Sequence, residues 1–211
     1  MSNPSYSIAV LISGSGSNLQ AIIDATQCGL IKGKVTGVIS NRDDVLGLER
    51  ACQAGIPSAV IKDDASTAAY LAELSPQLIV LAGYMRVLGA AFTGQFAGQL
   101  INIHPSLLPA YRGLDTHARA LAAGDTQHGC SVHFVTPELD AGPIIAQAIV
   151  PIKPNDTAQV LQKRVQIAEH QLYPQVIAWF AAGRIALHKD EIQFDQAPLC
   201  TPLLVPATSA A

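Results

Sequence analysis

The sequence predicts an α/β fold: a Rossmann-like, mostly parallel sheet flanked by helices, with antiparallel strands toward the C-terminal half. Three observations lead there. Short apolar runs alternate with helical patterns from Ser7 to Ala123, and such βαβ alternation demands parallel strands with crossover helices. Hydrophobic residues make up 49% of the chain but aromatics only 5%, so Ala, Val, Ile and Leu carry the apolar mass, as strands covered on both faces require. After Gly129 the pattern changes to two alternating, β-branched segments, which read as a hairpin or antiparallel edge.

Ser7 to Ile12 is a continuous apolar strand, and Ser17 to Thr26 a helix with Leu19, Ile22 and Ile23 on one side. Val35 to Ser40 is the second strand. Leu46 to Ala54 is a short helix closed by Gly55, and Ser58 to Ile61 a short third strand. Leu78 to Ala82 is the fourth strand and the most apolar. Phe92 to Phe96 makes a short helix before the fifth strand, Leu100 to His104, after which Leu107 to Asp115 is loop and Thr116 to Ala123 helix. Gly129 to Val135 and Pro143 to Val150 form the antiparallel pair. Thr157 to Phe180 is the longest helical pattern, amphipathic through Val160, Arg164, Ile167 and Leu172, with Pro174 marking a kink or break. Ile185 to Leu187 and Glu191 to Phe194 close the chain with a small hairpin. No internal repeat or low-complexity linker interrupts the sequence. Residues 1–211 therefore read as one domain, with about 195–211 a loosely ordered tail whose Leu199, Leu203 and Leu204 can dock on the body.

Composition narrows the function. The net charge is −3, and the 13 Lys and Arg residues are scattered along the chain, whereas a nucleic-acid surface clusters them to neutralise phosphates. The four cysteines, Cys28, Cys52, Cys130 and Cys200, are far apart and form no CxxC pair, which argues against a zinc site or a disulfide framework. No apolar stretch approaches the ~20 residues of a membrane span, and no N-terminal segment has the make-up of a signal peptide. The expected compartment is the cytoplasm, the expected partners are small molecules, and no metal is expected.

Two segments carry chemistry. In the fifth strand, Asn102 and His104 are at i and i+2 and so share a face. Asp140, in Glu138-Leu139-Asp140-Ala141-Gly142-Pro143, sits in a Gly-Pro turn that can approach them. An amide donor, an imidazole and a carboxylate together suit acyl transfer. The second segment, Ser13-Gly14-Ser15-Gly16-Ser17-Asn18, opens a helix directly after an apolar strand, where free backbone amides favour an anion. A dinucleotide fingerprint asks for a small residue where this chain has Leu19 and for an acid near Asn41-Arg42. A mononucleotide or sugar phosphate fits better, and no GxxxxGK[ST] run is present.

Together with Ala82-Gly83-Tyr84-Met85-Arg86-Val87-Leu88 and Gly129-Cys130-Ser131-Val132-His133-Phe134-Val135, these motifs are similar, in order and spacing, to those of the phosphoribosylglycinamide formyltransferases, folate-dependent enzymes of purine synthesis, over roughly residues 7 to 190. The resemblance implies transfer of a formyl group from 10-formyltetrahydrofolate to the amine of glycinamide ribonucleotide. Asn102 and His104 would hold the oxyanion of the tetrahedral adduct, with donors typically worth ~3 kcal/mol each. Asp140 would keep His104 protonated and carry the proton leaving the amine. Gly16, Ser17 and Asn18 would hold the ribonucleotide phosphate and Glu169 its ribose or glycinamide end. Met85, Arg86, Val87 and Leu88 would line the folate site, with Asn102, Leu139, Asp140, Ala141 and Gly142 also facing the folate.

The chain departs from the family pattern at two places. An arginine expected before the fourth strand to meet the folate tail is missing from Ser66-Thr67-Ala68-Ala69-Tyr70, and the helix that follows reads as several residues short. Arg112 and Asp115 stand where proline and histidine are common, and an Arg-Gly after Leu-Leu-Pro is more typical of methionyl-tRNA formyltransferases. That branch and a non-catalytic folate or nucleotide-binding module are the alternative readings. Monomer and homodimer fit equally.

Overall fold

The computed structural model describes residues 5–189 and 191–206. Its centre is an eight-stranded sheet in the order β11-β7-β6-β5-β4-β1-β2-β3. Strands β1 (Tyr6–Ile12), β2 (Gly33–Ser40), β3 (Ser58–Val60), β4 (Leu78–Leu81) and β5 (Leu100–His104) run parallel. β6 (Gln127–Phe134) is antiparallel to both β5 and β7 (Ile144–Pro151). β8 (Ile185–His188), β9 (Glu191–Phe194) and β10 (Ala197–Pro198) form a separate antiparallel sheet. The fold class expected from the alternation is the one observed.

The period of two along each strand divides the core into layers. Ile8, Val10 and Ile12 point to one face with Val80 and Ile101, where α1 (Ser17–Gln27) and α6 (Ala158–Ala181) lie. Ala9, Leu11, Ile79, Leu81 and Leu100 point to the other, covered by α3 (Asp64–Leu74) and α4 (Ala90–Gln95). Asn102 and His104 continue the Leu100 side of β5 beyond the short α4. The smaller helical layer thus leaves the carboxyl end of β5 uncovered. Strand order also reverses between β1 and β4, and such switch points leave a crevice at the carboxyl ends of the strands.

Three expectations need correction. α3 takes in Ser66 to Tyr70 and is held by an N-cap, the Asp63 carboxylate accepting from Ser66 N–H. Its Ala-rich, weakly amphipathic sequence hides it from a periodicity reading. Pro174 neither breaks nor ends α6, which runs unbroken through 24 residues. Tertiary contacts on a buried face outweigh the lost backbone bond. The expected loose tail is docked over part of its length: β11 (Leu203–Leu204) pairs in parallel with β7, and Val205 N–H donates to Gln147 O at 3.0 Å. Leu199 and Leu203 pack on the main core while Leu204 is exposed. Residues 207–211 of that tail lie outside the described residues.

α6 is fastened to the sheet where it matters most for the crevice. Tyr173, fully buried, donates from its hydroxyl to Leu81 O at 2.9 Å and lies 3.2 Å from Ile101 O, bridging β4 and β5. Tyr173→Phe strips buried carbonyls of a donor, so it should lower stability by about 1–3 kcal/mol in urea unfolding. A loss below about 0.5 kcal/mol would mean that those carbonyls are satisfied otherwise.

Candidate active site

His104 and Asp140 meet at the carboxyl end of β5, as the sequence expects: His104 Nδ1 lies 3.3 Å from Asp140 Oδ2, with both side chains under 10% exposed. The other ring nitrogen, Nε2, lies 2.9 Å from Tyr111 O. Each nitrogen of His104 therefore faces an acceptor, and the ring is fully engaged when both carry protons. This qualifies the oxyanion reading, because any donation by His104 to a ligand must share or exchange one of these contacts. The Nδ1 contact is the longer. Asp140 Oδ2 also accepts from Gly113 N–H at 3.0 Å.

His133 joins the group, although the sequence reading gave it no role. It stands opposite Asn102 in the β5–β6 ladder, a neighbour visible only once that pairing is known. Its Nδ1 donates to Phe134 O at 2.8 Å. Burial lowers its pKa despite the nearby Asp140 carboxylate, whose Oδ1 is 3.7 Å from Nε2. A neutral ring with its proton on Nδ1 has a bare Nε2. That nitrogen accepts from Asn102 Nδ2 at 3.3 Å, which fixes the amide orientation and leaves the second N–H of Asn102 uncommitted.

The loops around this group are held in uncommon backbone. Tyr111, Asp115 and Asp140 have φ of 56°, 57° and 49°, a left-handed conformation that costs L-residues about 1 kcal/mol or more each. Ser131 Oγ donates to Ser106 O at 2.7 Å and accepts from Leu108 N–H at 3.0 Å, so β6 also grips the His-Pro-Ser-Leu-Leu-Pro segment.

A cavity of about 720 Å³ opens over these residues. Asn102, His104, His133 and Asp140 form one wall, Asn18 and Glu169 line it from α1 and α6, and the exposed Met85, Val87, Leu114 and Leu139 rim it with apolar surface. Asn18 Nδ2 donates to Glu169 Oε2 at 2.9 Å, and Asn18 Oδ1 is buried without a partner. Met85 N–H donates to Ser13 Oγ at 2.8 Å, which anchors the 85–88 loop to the end of β1. Arg86 pairs with Asp64 at 2.9 Å and donates to Lys62 O at 2.7 Å.

Other expected site residues are placed differently. Gly16 and Ser17 do not line the cavity with Asn18. Gly16 has φ 68°, and an added Cβ would lie 2.6 Å from Gly47 Cα, so glycine is required there by the turn and by the approach of α2 (Leu46–Gln53). Ser17 Oγ accepts from Gln166 Nε2 at 2.9 Å. Ala141 and Gly142 do not line the cavity either. A Cβ on Gly142 would stand 1.9 Å from Phe134 O, so this glycine serves the close passage of the loop against β6. It borders instead a separate concavity of about 640 Å³ beside Ile192 and Cys200.

A formyl transferase family model matches residues 6–177. Phosphoribosylglycinamide formyltransferase of Escherichia coli (strain K12) is 53% identical over 197 residues, covering 89% of this chain and 93% of that protein. The Haemophilus influenzae enzyme of the same name is 50% identical, covering 89% and 92%. The structure of phosphoribosylglycinamide formyltransferase from Coxiella burnetii superimposes with a TM-score of 0.92 at 50% identity, covering 97% of this chain and all of that one. The chain belongs to the phosphoribosylglycinamide formyltransferase family.

For a phosphoribosylglycinamide formyltransferase, its two departures now have structural counterparts. The stretch lacking arginine lies inside α3, where the buried Thr67 donates to Asp63 O at 2.6 Å. Arg86, the basic side chain lining the cavity, is already paired. Arg112 bonds Glu138 at 2.8 Å on the surface and so joins the 111–115 loop to the loop that carries Asp140. An exposed pair of this kind contributes little stability.

Glu169 is the costly residue of the site. Burial pushes its carboxyl up to about 7, only partly offset by the Asn18 amide. Between the usual carboxylate range and that value the folded protein holds a proton that the unfolded chain releases, so stability falls as pH rises through this window, by on the order of 3 kcal/mol. Glu169→Gln should therefore be about 2–3 kcal/mol more stable than the native protein in urea unfolding at pH 8 and converge with it near pH 4.5. Equal stability at both values would mean that the carboxylate is not penalised.

Proposed function

We propose that the chain is a single formyltransferase domain that moves the formyl group of 10-formyltetrahydrofolate to the amine of glycinamide ribonucleotide. The observation that carries this is the convergence on one cavity of the His104–Asp140 pair, the uncommitted Asn102 N–H, the Asn18–Glu169 floor and an apolar rim. A flat, largely apolar folate ring suits the rim between Met85 to Leu88 on one side and Leu139 with Asp140 on the other, and Ala141 and Gly142 support that second loop from behind. The polar floor suits the sugar, with Glu169 accepting from hydroxyl groups. Backbone amides of Gly16, Ser17 and Asn18 at the start of α1 take the phosphate, where the helix N-terminus favours an anion.

In this reading Asn102 donates its free N–H to the oxygen of the tetrahedral adduct, and His133 keeps that amide turned the right way. His104 shares its Nδ1–H between Asp140 and the same oxygen. The Asp140 carboxylate balances the imidazolium charge and needs no metal to do so. Small molecules are the only partners proposed, acting on a monomer or homodimer. The cytoplasm is the compartment we propose, in keeping with four cysteines that are all free thiols.

The test is formyl transfer from 10-formyltetrahydrofolate to glycinamide ribonucleotide, followed by absorbance of the deformylated folate. His104→Ala and Asp140→Asn should each lower kcat by about 10²–10³-fold while folate still binds. Turnover near the native rate in either variant would remove that residue from the mechanism. With Arg86 engaged by Asp64 and no arginine in the first turns of α3, folates carrying one or several glutamates should give kcat/KM values within about threefold of each other. A strong preference for the polyglutamate would reveal a cationic contact elsewhere.

A further inference from the structure

A row of in-register positions runs across the sheet away from the site. His104 on β5 pairs with Ser131 on β6, Ser131 with Gln147 on β7, and Gln147 with Leu204 on β11. Directly opposite residues in a sheet point to the same face, so an imidazole, a hydroxyl and an amide stand side by side. Every proton in this row has one possible place. Ser131 Oγ carries a single hydrogen, and Ser106 O, 2.7 Å away, can only accept it. Ser131 therefore accepts at its lone pairs, from Leu108 N–H at 3.0 Å and from Gln147 Nε2 at 2.8 Å. Leu108 O also lies 2.9 Å from Gln147 Nε2 and can only accept. Both N–H groups of Gln147 are thus committed, and its amide cannot turn over.

Gln147 and Ser131 together hold Leu108 by its N–H and its C=O, and the hold extends back to His104. Ser106 N–H donates to His104 O at 2.9 Å, and Ser106 Oγ donates to Ala110 O at 2.6 Å. The next residue, Tyr111, turns with φ 56° and sets its carbonyl 2.9 Å from His104 Nε2. Pro105 O is held in turn by Thr116 Oγ at 2.7 Å, in the first turn of α5 (Thr116–Ala123). Ser106, Leu108 and Ser131 are all buried, so a donor removed here is not replaced by water without cost. Neither Gln147 nor Ser106, Leu108 or Ser131 lines the cavity. Whatever Gln147 does for the reaction passes through the segment it holds.

We propose that Gln147 is a positioning residue for formyl transfer: acting through Leu108 and Ser131, it holds the turn whose Tyr111 carbonyl fixes the His104 ring. Its effect on rate rests on the formyl-transfer reading, whereas its effect on the ring does not. Without the two N–H groups, Leu108 O and one lone pair of Ser131 lose their donor, and Ser131 alone is left to grip the segment from this row. The left-handed turn at Tyr111 is then free to relax, and His104 Nε2–H loses a fixed acceptor. Asp140 approaches the other nitrogen from a different loop. His133 Nδ1–H is held by Phe134 O on β6 and has no part in the row.

The experiment compares native protein with Gln147→Met, which keeps the length of the side chain and removes its donors. It measures kcat for formyl transfer, dissociation constants for glycinamide ribonucleotide and a non-reactive folate analogue, and the ring N–H resonances of histidine-labelled protein. We expect kcat to fall about tenfold or more, with both dissociation constants within about threefold of native. The His104 Nε2–H resonance should shift or exchange faster with water, while His133 Nδ1–H stays as in the native protein. A kcat within about threefold of native, or a rate loss matched by weakened binding, overturns the proposal. So does an unchanged His104 resonance, or a change shared equally by His133, which would mean a general loosening of the fold. If Gln147→Met has no cooperative thermal transition, Gln147→Asn, whose shorter amide cannot reach both acceptors, decides by the same limits. Absence of turnover in the native protein would overturn the formyl-transfer reading, and the resonances would still decide whether Gln147 positions His104.

Discussion

The contact between the Asp140 carboxylate and the His104 ring is the constraint on which the rest of the site depends. It joins β5 to the loop that carries Asp140, and it does so with both side chains almost wholly excluded from water. A buried carboxylate needs a positive or donating partner. Asp140 has the His104 ring and the Gly113 N–H, and to reach them its backbone takes the left-handed conformation. The strained turns at Tyr111 and Asp115 belong to the same arrangement, since Tyr111 supplies the carbonyl that holds the other side of the imidazole.

Backbone carbonyls set the chemistry of these histidines. Tyr111 O and Phe134 O each face one nitrogen of His104 and His133 and so decide which nitrogen carries the proton. Burial then keeps His133 neutral. Side chains that titrate near neutrality in water thereby become fixed donors and acceptors. The price is stability, most plainly at Glu169, whose buried carboxyl is retained where an amide would fold more readily.

Much of this was legible in the sequence. Apolar runs and their spacing located β1, β2, β4 and β5, and the i, i+2 rule put Asn102 and His104 on one face before any packing was known. What escaped has physical causes. α3 has little hydrophobic periodicity because it rests on the sheet through few residues, chiefly Leu71 and Thr67. His133 acts through its partner on β5, and only the antiparallel β5–β6 pairing brings it there. Gly16 and Gly142 were legible as small residues, but what they make room for is protein backbone. The β11 strand depends on an open edge at β7 that no local pattern announces.

The central claim is that the His104 ring is pinned between a carbonyl and a carboxylate. Side-chain nitrogen NMR of the histidine-labelled native protein near neutral pH tests it most directly. The account predicts a protonated Nε2 on His104 and a coupling or chemical shift at Nδ1 that changes on Asp140→Asn, with Nε2 unaffected. A bare Nε2 on His104, or an Nδ1 signal indifferent to Asp140, would contradict it.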